Sequence, residues 1–162
     1  HLFTQLTDED LAAVIAFVRS KPPARDMHPP PLFEDGGGKE IADGTFKSAP
    51  TDVREQGQAW PPDAGPEHAL GRYVVRATCA ECHRMDLRGG VPYPGASPRP
   101  DLRVIVPAYS RTDFDTLMRT GRAAGNRELE LMSEVARGRY SHFTERELDA
   151  LYAYLQAVAA KP

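Results

Sequence analysis

Several things are scarce in this chain, and each scarcity excludes a class. Cysteine occurs twice in 162 residues, too few for a disulfide-stapled scaffold. Basic residues are not in surplus: 20 Lys and Arg face 23 Asp and Glu, for a formal charge of −3. Nucleic-acid binding driven by phosphate neutralisation is thereby disfavoured. Long apolar runs are missing too. The longest, LAAVIAFV at 11–18, falls far short of the roughly 20 residues a spanning helix requires, so no membrane span is expected. No basic n-region with a signal core opens the sequence, which reads as a mature or trimmed form. Nor is there an alternating apolar run bounded by turn signals, the mark of a sheet. The expected fold class is all-α with long loops, and the length suits one ordinary domain.

What is abundant is proline and glycine, and unevenly so. Residues 21–65 hold 8 Pro and 6 Gly among 45 positions, with few apolar side chains. Such a segment cannot offset its own ordering entropy, and it reads as a linker or as a strap lying on a neighbour. Phe33, Phe46 and Trp60 are the residues that would pin it.

A helix precedes this segment. Thr7 reads as N-cap with Asp10 at N3, Leu6 and Leu11 form a hydrophobic staple, and Leu11, Val14, Ile15 and Val18 make one apolar face that ends before Pro22 and Pro23. Three further helices are expected: about 66–79, about 112–120 opened by Thr112 and closed by Gly121, and 144–158 opened by Thr144 with Glu147 at N3. Sliding the first helix by 137 positions onto the last superposes Thr7 on Thr144, Leu11 on Leu148, Ala13 on Ala150 and Ala16 on Ala153, and sets Phe17 on Tyr154. Residues 1–20 are therefore expected to be the end of a preceding copy of the fold, or else a helix docked on the present one.

Cys79-Ala80-Glu81-Cys82-His83 is C-x-x-C-H, the attachment signature of a c-type haem. Two cysteines three positions apart on a helical turn reach the two vinyl groups of one porphyrin, and the adjacent histidine presents its imidazole to the iron. A zinc site would need further ligands at paired spacing, and His1, His28, His68 and His142 do not supply them. A redox dithiol of the thioredoxin kind would need a βαβ pattern, and none is present.

On this motif the chain resembles the class I c-type cytochromes, in particular the haem domains of bacterial mono- and dihaem subunits. The resemblance covers roughly residues 66–158. It includes GRYVVRATCAECHR, where Gly71 stands at the point at which the family's first helix crosses its last, and LYAYLQ, whose Tyr154 matches the aromatic residue of that crossing. It implies one covalent haem c on Cys79 and Cys82, with His83 as an axial ligand. It implies also that Pro100, in Pro100-Asp101-Leu102, offers its carbonyl to the His83 Nδ1–H, with Pro98 as a competing register. Arg99 and Arg103 flank that stretch as candidate propionate partners. Tyr73, Leu102, Phe114, Leu117 and Met118 are expected around the haem.

Met27, Met85, Met118, Met132 and the other histidines are the candidates for the second axial ligand. Met85 is too near His83, and Met118 suits the pocket wall. Met132, 49 residues after His83 in an expected loop before the last helix, lies where the family places its methionine ligand; His142 or a vacant position are the alternatives. Ser133 stands where family members often have proline.

A His/Met-ligated iron has no open position, so the expectation is an electron carrier rather than an enzyme, serving redox partners such as a dehydrogenase, an oxidase or another cytochrome domain. The alternatives are a peroxidase-like haem enzyme with a displaceable distal ligand, and a mainly structural haem with residues 1–65 as a docking arm. The resemblance also implies a periplasmic or otherwise extracytoplasmic location, where such haem attachment occurs, with tethering to a membrane complex compatible with it.

Overall fold

Where the sequence offers caps, helices begin. The computed structural model describes residues 2–23, 35–46, 48, 50, 51, 54, 59–91 and 95–160. It divides into two compact units, His1–Ala59 and Trp60–Pro162.

In the first unit a 3-10 turn, Leu2–Gln5, precedes helix α1, Asp8–Arg19. The Thr7 side chain accepts the Asp10 N–H at 3.2 Å, and Asp8, Glu9 and Asp10 sit at the positive end of the helix dipole. No residue of α1 is buried. A short helix, α2 at Asp35–Ala42, lies inside the stretch expected to be linker or strap, and Lys39 and Asp43 form an i,i+4 ion pair across its end. Phe46 is exposed and pins nothing; Phe33 lies outside the described residues.

The second unit starts at Trp60, six positions earlier than the expected boundary, because residues 60–65 are bound by side chains of later helices. Pro61 and Ala64 are buried, Arg72 Nε donates to the Pro61 carbonyl at 2.8 Å, and the Tyr154 hydroxyl donates to the Pro62 carbonyl at 2.7 Å. The Arg76 guanidinium lies over the Trp60 ring, 3.9 Å from its centroid. A 3-10 turn, Pro66–His68, then leads into α3, Ala69–Thr78, and α4, Ala80–His83.

Next come α5, Leu102–Ile105, opened by Asp101, and α6, Arg111–Thr120. The N-cap of α6 is Ser110, not Thr112: its side chain accepts the Asp113 N–H at 3.1 Å. Gly121 closes α6 in the left-handed region, φ 74°. A hairpin of two-residue strands comes after it, β1 at Arg122–Ala123 and β2 at Arg127–Glu128, in antiparallel register with Arg122 opposite Glu128. Helix α7 spans Glu130–Gly138, and α8, Glu145–Ala159, carries a complete capping box between Thr144 and Glu147. The fold is all-α, with that hairpin as its only strand pair among the described residues.

The core is organised by the crossing of α3 and α8. A Cβ on Gly71 would lie 2.1 Å from the Ala150 carbonyl oxygen and 2.6 Å from the Tyr154 Cβ, so only glycine lets the backbones approach this closely. Val75, Leu148, Leu151 and Tyr154 are almost wholly buried around the crossing.

Candidate functional site

Helix α4 exists to present three side chains. Cys79 closes α3 and opens α4, and Cys82 and His83 come within one turn of it. All three line one cavity of about 370 Å³. The rest of its wall is mostly apolar and comes from distant parts of the chain: Leu102 and Val106 from α5 and the turn after it, Phe114, Leu117 and Met118 from α6, and Leu151 from α8.

His83 is buried, and its Nδ1–H donates to the Pro100 carbonyl at 3.0 Å. That bond leaves Nε2 as the nitrogen available to a ligand. Burial pulls the imidazole below its ordinary pKa, against the opposing pull of the Pro100 bond, and so favours the neutral form that a metal requires.

The Pro100 carbonyl is held in place by the loop around it. Gly90 and Arg99 exchange backbone hydrogen bonds of 2.9 and 2.8 Å, Gly89 N–H donates to the His83 carbonyl, and Leu102 N–H donates to the Leu87 carbonyl. Gly89 has φ +67°, and a Cβ there would meet the Arg99 oxygen at 2.1 Å and the Pro100 oxygen at 2.5 Å. The segment after His83 is pressed flat against the segment that carries its acceptor. Asp101 completes the turn by accepting from Arg103 N–H at 2.8 Å and pairing with the Arg103 guanidinium at 2.7 Å. Arg103 is thus committed to Asp101, whereas Arg99 lines the cavity. Pro98 lines it as well, but the carbonyl bonded to His83 is that of Pro100.

Both cysteines are free of disulfide. Burial pushes the Cys79 thiol up to about 11, so it is not a thiolate at neutral pH and makes a poor redox dithiol or zinc ligand. Among the described residues no group of three or more His, Cys, Asp or Glu is gathered as a metal ion would require. Two adjacent thiols on an apolar wall, with one neutral imidazole beside them, fit covalent attachment of a flat apolar cofactor and do not fit a bare ion.

Met132 lines the same cavity. It stands in the first turn of α7 rather than in a loop, a difference traced to local geometry. Glu130 enters α7 at φ +44°, and the N-cap, Leu129, has no side-chain cap bond. What holds this turn is Ser133. Wholly buried, its hydroxyl donates to the Gly121 carbonyl at 2.6 Å and accepts the Leu129 N–H at 2.7 Å. One side chain therefore ties the α7 entry to the end of α6. The departure from proline at 133 leaves this segment anchored, not loose.

Of the other expected residues, Leu102, Phe114 and Met118 line the cavity and Tyr73 does not. Tyr73 lies six positions before Cys79, which places it roughly 120° away around the helix. Met85, His68 and His142 do not line the cavity, and His142 is exposed; Met27, His1 and His28 lie outside the described residues. Missed from the sequence were Tyr140 and Leu129. Tyr140 is buried, lines the cavity, stacks on Phe143 and donates its hydroxyl to the Thr78 carbonyl at 3.2 Å. Burial raises that phenol well above its ordinary pKa, so it serves as a fixed donor beside Cys79.

Comparison with known families places residues 68–159 under the family described as Cytochrome c. No curated protein and no solved structure matches the chain.

Proposed function

Because the chain belongs to the cytochrome c family, we propose that it passes single electrons between protein partners through one covalent haem c, with His83 and Met132 as the residues that would ligate its iron. The family binds haem c at C-x-x-C-H and transfers electrons, and Cys79, Cys82 and His83 form that motif. Haem held there would supply a one-electron iron couple, and a thioether ligand in company with an imidazole would raise its potential.

The observation that carries the ligand assignment is that Met132 and His83 line the same cavity from different helices. The residues around them have distinct tasks. Cys79 and Cys82 fix the cofactor covalently, the Pro100 carbonyl sets the His83 tautomer, and Phe114, Leu117 and Leu151 exclude water. Ser133 orients the turn that bears Met132. Ser97, Pro98, Glu130 and Leu131 line the cavity and are exposed, so this rim is where a redox partner approaches. A peroxidase reading requires a distal acid–base group, and its candidate, His142, does not line the cavity. The haem chemistry also supports an extracytoplasmic protein working as a domain or subunit of a respiratory or dehydrogenase chain.

Optical spectra with exogenous ligands test the assignment. The isolated protein should show the long-wavelength methionine-to-iron band and bind imidazole weakly. Met132→Ala should abolish the band and tighten imidazole binding by about tenfold or more, some 1.4 kcal/mol, whereas Met118→Leu should keep the band. Rapid, tight imidazole binding by the unaltered protein would sink the ligand assignment.

A further inference from the structure

The start of the first unit, its 3-10 turn and α1, repeats the end of the second. Shifted by 137 positions, the 3-10 turn Leu2–Gln5 falls on residues 139–142, where the turn Tyr140–His142 stands, and α1 falls on the first twelve residues of α8. The caps agree in conformation: Thr7 has φ −69° and ψ 159°, Thr144 has φ −67° and ψ 160°, and each accepts the N–H of its N3 residue. The turn before the helix thus adds to the four sequence identities, one of which, Thr7 with Thr144, is the cap itself.

The decisive comparison is burial. Helix α8 buries Leu148, Leu151, Tyr154, Leu155 and Val158. The matching positions are Leu11, Val14, Phe17 and Val18 in α1, all apolar, and Lys21 just beyond its end. In α1 Leu11 is half-buried and the stripe beyond it is uncovered: Val14 is 37%, Phe17 62% and Val18 64% exposed. A polar surface helix has no use for such a stripe. Ala13 also matches Ala150, the residue whose carbonyl receives Gly71, and Phe17 matches Tyr154, the ring beside that glycine. Helix α1 therefore carries one complete half of a crossing whose other half is a glycine-bearing helix.

We infer that α1 is the last helix of a second copy of this haem fold in the same polypeptide, and that its apolar face seats that copy's own glycine-bearing first helix. The occupant is specified by the match itself: a helix with glycine opposite Ala13 and Phe17, followed by its own C-x-x-C-H. A generic amphipathic docking helix would need neither the small residue nor the preceding turn. The pairing makes the protein a two-haem conductor, with residues 21–59 joining the copies.

The intact gene product, matured with haem, provides the test. Haem absorbance and iron counted against polypeptide mass should give two haems per chain, and one haem would overturn the inference. In that product Phe17→Asp should raise the imidazole or carbon monoxide reactivity of one haem by about tenfold, while Phe17→Tyr, which installs the residue α8 uses, should leave both haems unchanged. If Phe17→Asp alters neither haem, α1 is not part of a second haem fold. The count does not depend on which side chain ligates the haem on Cys79 and Cys82, so failure of the Met132 assignment would leave it intact.

Discussion

Gly71→Ala should destabilise this protein although alanine is the better helix former. In an open helix the change gains about 1 kcal/mol. Here the added carbon would sit 2.1 Å from the Ala150 oxygen and 2.7 Å from the Ala150 carbonyl carbon, and these are backbone atoms of α8 that cannot rotate away. Relief requires the helices to part, which opens voids along Val75, Leu148 and Leu151. Overpacking of this kind costs about 3 kcal/mol when no side chain can yield. The balance is a net loss of about 2 kcal/mol after the propensity gain. For a unit of roughly 100 residues this lowers Tm by about 8–16 °C. Guanidinium titration of the haem-loaded protein, followed by far-ultraviolet dichroism and by the haem band, reads the change. Gly138→Ala is the control, since nothing lies within 4 Å of a Cβ there; it should be neutral or stabilising by up to about 1 kcal/mol. Equal or greater stability for Gly71→Ala would refute the close-crossing argument.

Two other substitutions probe the site's supports. Ser133→Ala strands the half-buried Leu129 N–H and the Gly121 carbonyl, and should cost about 2 kcal/mol while weakening the methionine-to-iron band; an unchanged band at reduced stability would show that the hydroxyl holds the fold but not the ligand. Asp101→Ala removes the cap of α5 and should cost about 1 kcal/mol at neutral pH, read by urea titration across pH. The Arg103 bond holds the Asp101 carboxyl below its ordinary pKa, so its contribution is present above the usual carboxylate range of about 4 and fades as pH falls through the lower folded value. The gap between wild type and Asp101→Ala should therefore narrow on acidification, and a widening gap would contradict the assignment.

The parts legible from sequence are those written in short-range chemistry. Thr144 with Glu147, and Thr7 with Asp10, announce helix starts through bonding three residues apart, and C-x-x-C-H names its cofactor by spacing alone. The start of α7 carries no such mark. Its N-cap is Leu129, Glu130 has a left-handed backbone, and the tether is a serine bonded to a carbonyl twelve positions away, so the sequence pattern points to a loop at Met132. The α6 start differs for another reason: Ser110 and Asp113 form the signal, but Thr112 offers a competing hydroxyl. Tyr73 has the right residue type for a haem wall but the wrong angular position around α3. The boundary at Trp60 depends on Tyr154 and Arg72 reaching back to the carbonyls of Pro62 and Pro61, contacts that only the folded chain reveals.

The crossing at Gly71 also sets an order of events in time. Its two halves stand at opposite ends of the second unit, and contacts so distant along the chain form late in folding. Until α8 docks on α3, Leu151 and Leu155 are missing from the wall of the cavity that Cys79, Cys82 and His83 line. A chain that has not yet made this crossing leaves both thiols open to a porphyrin and to the machinery that joins it, and the docking of α8 completes the wall.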